Sequence, residues 1–426
     1  MNSTHCEAQV KGDSDKRGAM DLAVIGACSL AYLLDGIVFT ILGPMAPDLA
    51  RALSLSNVQL GQIFSANLIG QCIGLVFFPL IGHRASHRLI IVSTLCGFGI
   101  FQAASGLAMD AGQLFWLRLV TGFFLGGSLP SCLAMTTAAA PPHRRGLAIT
   151  ILFTGYAIGS TVAGFVPVLF ANLGGWRVAT AAVGVACLVF ALVAWPWLRD
   201  PQPEQTVDTH QEGAMRAVAA LFRPPYLLGT IALWILFISL LTLSYCLFSW
   251  LPILLVQVGH EADLAAMSVS IFSFGGIVAA LVVGLLIDRF GAKPVLSIFL
   301  ALAAVLLFSI GQLLATASTG VLLTLLAICG FFALGAYGGI NVVLAGFYAP
   351  PLRALGIGVT KSVSRVGTVL APIMIGVALS AGVAETRVMA LFALPAVFSL
   401  LALMLIAAPK RDTSGRISRM VAEERA

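Results

Sequence analysis

Residues 296–314 read LSIFLALAAVLLFSIGQLL, with no charged side chain from end to end. As an α-helix this run is about 28 Å long at roughly 1.5 Å per residue, close to the roughly 30 Å hydrocarbon thickness of a bilayer. A second run, LFALPAVFSLLALMLIAA at 391–408, is equally uncharged and nearly as long. Backbone groups facing lipid have no water to bond, so a spanning segment is either a helix or a strand of a closed barrel. A barrel strand alternates apolar and polar residues over about ten positions, and neither run alternates. Both read as transmembrane helices.

The whole chain has the same character. Of 426 residues, 59% are hydrophobic and only 10% are charged, with 43 glycines and a mean hydropathy of +1.00. A soluble fold carries about 25% charged residues, and so few could not cover the surface of one this long. Apolar runs separated by charged or Pro/Gly-rich breaks mark twelve spans, at 21–44, 58–80, 88–108, 113–137, 146–170, 177–198, 226–250, 265–287, 294–315, 320–346, 354–380 and 386–408. The expected architecture is an all-α polytopic membrane protein of twelve transmembrane helices in two six-helix halves. Its parts are a tail at 1–20, a first half at 21–198, a loop at 199–225, a second half at 226–408 and a tail at 409–426. The first twenty residues are polar and lack the apolar core of a signal peptide. Met215–Phe222 has the pattern of a short interfacial helix.

Lys and Arg set the orientation. With both termini inside, the inner segments hold 18 of the 24 Lys/Arg, and the outer loops hold Arg51, Arg177 and Arg387. The excess predicts cytoplasmic termini in a cell inner (plasma) membrane. It also accounts for the net charge of +6 without a nucleic-acid partner. Seven of eight cysteines fall inside spans and no CxxC pair occurs, so they read as small buried hydrophobes. All six histidines lie in tails or loops, which argues against an intramembrane metal site.

The two halves repeat one another. After span 8 the chain reads GLLIDRFGAK (Gly284–Lys293), and after span 2 it reads PLIGHRASHR (Pro79–Arg88). Arg84 corresponds to Arg289, and His83 stands in the place of Asp288. Such internal duplication is a transporter trait.

Gly284–Lys293 resembles the loop motif G-x-L-x-D-R-x-G-x-K of the major facilitator superfamily, and the resemblance extends over nearly all of the chain. Arg118 with Gly122, Gly126 and Gly127 is similar to that superfamily's span-4 motif, and Gly155, Gly159, Ala163 and Gly164 to a span-5 glycine motif. Within the superfamily the chain most resembles the aromatic acid:proton symporters. Asp35-Gly36 looks like their D-G-x-D helix, with Val38 in place of the second acid. FYAPPLRALGIG (Phe347–Gly358) and SRVG (Ser364–Gly367) are similar to two further segments, and Ala138 replaces a usual span-4 acid. The resemblance implies alternating-access transport that carries a proton and a small aromatic or aliphatic carboxylate inward together. It also implies a gating role for Arg84, Arg88, Asp288 and Arg289 in the inner loops. Efflux of drugs or metabolites by the same architecture is the alternative, and the direction stays open.

Four charges lie away from the span ends, inside the membrane: Asp35, Arg118, Lys361 and Arg365. An intramembrane ionisable group is costly and marks a proton or ion pathway by default. Loss of water disfavours the charged form of a carboxyl, so Asp35 is the candidate proton-coupling group. Arg118 is either its static partner or a cation that competes for it. Lys361 and Arg365, one turn apart, leave the spans with a positive excess that suits an anion, Arg presenting a fork to a carboxylate. For Lys361 the alternative is snorkelling to the interface. Tyr32, Asn67, Gln71, Tyr245, Tyr337 and Asn341 are candidates to contact substrate, or else to make helix–helix hydrogen bonds. A membrane enzyme would need a catalytic cluster and a channel would need a filter-like repeat; neither pattern occurs. The expected partners are the organic anion, the proton and the bilayer. No cofactor is required, and a monomer is expected.

Overall fold

The computed structural model describes residues 20–82, 86–198, 221–222, 224 and 226–406. Among them twelve helices are long and apolar enough to cross a membrane. They are α1 (Leu22–Ala52), α2 (Asn57–Leu80), α3 (His87–Ser105), α4 (Ala111–Ala138), α5 (Arg145–Ala163), α6 (Gly175–Ala194), α7 (Leu227–Gln257), α8 (Ala262–Phe290), α9 (Ala292–Leu313), α10 (Thr319–Phe347), α11 (Leu355–Ser380) and α12 (Glu385–Leu405). The chain is therefore an all-helical, multi-pass membrane protein. The tails at 1–19 and 409–426, the loop arginine Arg84 and nearly all of 199–225 with its expected interfacial helix lie outside the described residues.

Several loop polar groups turn out to cap helices. Asp21 Oδ1 accepts from the Ala23 and Val24 amides at 3.2 Å, Ser86 Oγ from Leu89 at 3.1 Å, and Asp110 Oδ1 from Gln113 at 2.9 Å. Each satisfies an amide that the first turn leaves without a partner. Ser56 and Gln59 form a reciprocal capping box at the start of α2. Gly291, the glycine of the second loop motif, has φ +84 and reverses the chain between α8 and α9.

Three ends differ most from the apolar pattern, and the first is α1, expected to end at 44, which runs on to Ala52. The fifth span, expected to reach 170, breaks at Gly164 into α5 and a short helix, Phe165–Phe170. Pro167 has no N–H to give the Ala163 carbonyl, so the ladder cannot pass that point. By contrast α7 runs seven residues past its expected end and continues through Pro252. Leu251, Ile253, Leu254 and Leu255 are all buried there, and that packing outweighs one lost hydrogen bond.

The described residues divide into two compact units. One lies within Met1–Gln205 and Ala262–Ser270, the other within Thr206–Glu261 and Ile271–Ala426. In the first unit α1 packs on α5, α3 on α4 and α6, and α2 on α4. In the second unit α7 packs on α11, and α9 on α10 and α12. Glycines make the closest contacts. A Cβ at Gly70 or Gly74 on α2 would overlap the Leu119 or Phe123 carbonyl, and one at Gly122 or Gly126 on α4 would overlap Asn67 or Gln71. Gly155 and Gly159 bring α5 onto α1 in the same way, and Gly275 and Gly330 join α8 to α10. Backbones at this distance gain dispersion contact that no larger residue would allow, which is how helices associate without a hydrophobic drive between them.

Candidate functional site

The first unit holds Asp35, the one acidic side chain buried among the described residues. Asp35 is 2% exposed on α1, with Tyr32 one turn earlier packed on Tyr156 (ring centroids 5.0 Å apart) and Phe153 (5.7 Å). Gly36 next to it faces the Tyr156 backbone of α5. On α2, Asn67 is 4% exposed and its carbonyl forms part of the seam against Gly122, while Gln71 is half-buried.

Arg118 is fully buried on α4, and its partner is a correction to the sequence reading. Nη1 donates to Gln102 Oε1 at 2.8 Å, an uncharged acceptor on α3, whereas Asp35 was the expected partner. Among the described residues its Nε and Nη2 meet no hydrogen-bond acceptor, nor does Gln102 Nε2. The helix register explains the choice. Where α1 and α4 meet, the Asp21 amide donates to the Ala139 carbonyl at 3.0 Å, and the two helices run in opposite directions from there. Asp35 lies 14 residues beyond Asp21, level with Leu125 on α4, and Arg118 lies a further seven residues along. The two charges are thus offset by about 10 Å along the helix axes at roughly 1.5 Å per residue. Gln102 was missed from sequence because a neutral amide in an apolar run raises no charge signal; only its place opposite a buried arginine marks it.

The second unit gathers three of the named residues. Arg365 Nη1 donates to the Tyr245 hydroxyl at 3.0 Å, joining α11 to α7, and its guanidinium carbon lies 5.9 Å from the Tyr245 ring centroid. Tyr337 on α10 is within electrostatic reach of both. Thr368 Oγ1 donates to the Arg365 carbonyl at 2.7 Å, so that hydroxyl is spent on its own helix. Lys361 is exposed one turn before Arg365. Asn341 is turned back: Nδ2 donates to the Tyr337 and Gly338 carbonyls at 3.1 and 3.2 Å. A short amide bonding the preceding turn is a familiar local alternative to a long-range contact.

The residues of the repeated loops separate. Asp288 and Arg289 are exposed at the end of α8, with Arg289 5.3 Å from the Phe290 ring. Arg88 instead stacks on Trp195 in its own unit, its guanidinium 3.8 Å from the ring centroid. Among the described residues no three His, Cys, Asp or Glu side chains gather as metal ligands.

Known proteins match along most of the chain. The 3-(3-hydroxy-phenyl)propionate transporter of Escherichia coli (strain K12) is 30% identical over 87% of this chain and 90% of its own length. The gallate transporter of Pseudomonas putida is 28% identical over 92% and 93%. The 4-hydroxybenzoate transporter of the same organism is 30% identical over 82% and 84%. Among solved structures, a D-xylose-proton symporter superposes with a TM-score of 0.73 at 17% identity, covering 92% of this chain and 99% of that one. A nucleoside transporter also gives 0.73, at 16% identity, covering 91% and 100%. The profile of the Major Facilitator Superfamily matches residues 28–270 and 257–423. With both halves matched and its relatives aligned nearly end to end, the chain belongs to the major facilitator superfamily.

Proposed function

We propose that the protein takes up a small aromatic carboxylate across the cytoplasmic membrane together with protons, by alternating access. The observation that carries the substrate class is Arg365. A guanidinium tied to one tyrosine and close to a second offers a fork for a carboxylate beside aromatic surface. Three relatives named for aromatic acids support the same class. Lys361, one turn away, adds positive potential.

Asp35 is the proposed proton carrier, the acid buried within a span. Arg118, whose Nη1 is held by Gln102, is the proposed second member of the coupling pair, offset from Asp35 by about 10 Å along the helix axes. One proton per monocarboxylate makes the cycle electroneutral, and each further proton adds about 2.3 kcal/mol per 100 mV. The excess of inner Lys/Arg supports cytoplasmic termini and an inner-membrane location. Tyr32, Asn67, Gln71, Tyr337 and, at the inner face, Asp288 and Arg289 complete the proposed machinery.

Uptake of radiolabelled hydroxybenzoates into proteoliposomes, with and without an inward proton gradient, tests the reading. Gradient-driven accumulation should disappear in Asp35→Asn while exchange of labelled for unlabelled substrate persists. Accumulation that ignores the gradient in the unmodified protein would overturn the coupling.

A further inference from the structure

The repeated inner loop ends on a basic residue in both halves, Arg88 in PLIGHRASHR and Lys293 in GLLIDRFGAK. Each stands in the first turn of the third helix of its half, α3 or α9, and each reaches the end of the sixth. Arg88 lies over Trp195, the residue directly after α6, at 3.8 Å. Lys293 Nζ donates to the Met404 and Ile406 carbonyls at 3.0 and 3.2 Å, at the end of α12. The chemistry differs while the geometry repeats. A helix C-terminus leaves carbonyls without intrahelical donors and carries partial negative charge, and the Lys293 ammonium answers both. The indole face is the strongest cation–π acceptor among the aromatic side chains, and Arg88 sits within its contact range.

The α3–α6 pair is tied at its opposite end as well. Arg177, in the first turn of α6, donates from Nη1 to the Gly106 carbonyl that ends α3, at 2.7 Å. Neighbouring helices pinned at both ends move as one body.

We propose that the terminal basic residue of each repeated loop is a strut inside its own half, clamping the point where the chain leaves the last helix, and that it takes no part in the gate. Arg88 and Lys293 then differ in role from Asp288 and Arg289, although the loop places them only a few residues apart. A transporter that rocks its halves needs such struts, because α6 and α12 lead directly into the connecting loop and the C-terminal segment, which would otherwise pull a helix away from its bundle.

Thermal melting of the full chain in detergent, paired with uptake per folded molecule in proteoliposomes, tests this. Lys293→Ala and Trp195→Ala should each lower the melting temperature by several degrees and leave uptake per folded molecule within twofold. Arg88→Ala should lower melting too. Arg88→Ala/Trp195→Ala should melt no lower than the worse single variant, as expected for two ends of one contact. Lys293→Arg keeps a donor and should melt near the unmodified protein, which guards against a general intolerance of substitution. Unchanged melting in Lys293→Ala and Trp195→Ala would overturn the proposal. So would a tenfold loss of uptake in either at unchanged melting, since that is the signature of a gate.

Discussion

Replacing Gln102 by leucine removes the one acceptor that the buried Arg118 guanidinium holds, at nearly constant volume. The hydrogen bond is 2.8 Å long, Arg118 is 1% exposed and Gln102 fully buried. Removing the acceptor of a buried, charged donor costs about 3 kcal/mol, the upper end for a hydrogen bond to a charged group. Against this, Gln102 Nε2 has no acceptor among the described residues, and deleting it relieves about 1–2 kcal/mol of desolvation. The net loss is about 1–2 kcal/mol, which for a unit of some 200 residues lowers the melting temperature by about 2–8 °C. Gln102→Glu places a formal opposite charge at the same atom and forms a charge-assisted bond. It should melt at or above the unmodified protein. The assay is thermal unfolding of purified protein in detergent, followed by reaction of a fluorogenic maleimide with the buried cysteines as they emerge. A Gln102→Leu protein melting within one degree of the parent would refute the argument, because Arg118 would then have lost nothing that mattered to it.

Tyr245→Phe deletes the hydroxyl that orients Arg365, a bond to a charged group worth about 1.5–3 kcal/mol. Half-saturation for uptake should rise about tenfold, at roughly 1.4 kcal/mol per tenfold, with maximal rate retained; unchanged half-saturation would show that Arg365 needs no such hold. Gly122→Val drives a side chain into the Asn67 carbonyl and should abolish a monodisperse folded protein on size exclusion. Gly146→Ala, whose Cβ meets nothing within 4 Å, should fold normally in the same preparation. Asp288→Asn, exposed at the end of α8, should reduce uptake without shifting the melting temperature; a melting shift of similar size would argue for a packing role instead.

The twelve helices were legible because charges are so scarce that each break between spans stands out. What hydropathy could not register was the local backbone: Pro167 ends α5 early, while the equally visible Pro252 ends nothing, since the difference lies in how well the flanking leucines are packed. The four charges within spans were legible for the same reason of scarcity. Their partners were not, because pairing depends on the depth at which two helices meet. Asp35 and Arg118 attract one another on paper, yet the Asp21–Ala139 contact sets the register so that a glutamine reaches the arginine first. Tyr245 and Arg365 were each visible as polar residues in apolar runs, and only the packing of α7 on α11 joined them. Asn341 carries the same letter whether it faces a ligand or its own helix, and it faces its own helix.

The glycine seams also bear on how the protein is made. Helices leave the ribosome in order, but the tightest contacts of the first unit join α2 to α4 and α1 to α5. The second helix therefore waits in the bilayer for the fourth, and the first, with Asp35 already aboard, waits for the fifth. Assembly of this half is nested rather than sequential: an inner pair closes before the outer pair can. A nascent chain halted after α4 would hold one finished seam and one open face on α1, where Ser29, Leu33 and Gly36 still await the backbone of α5.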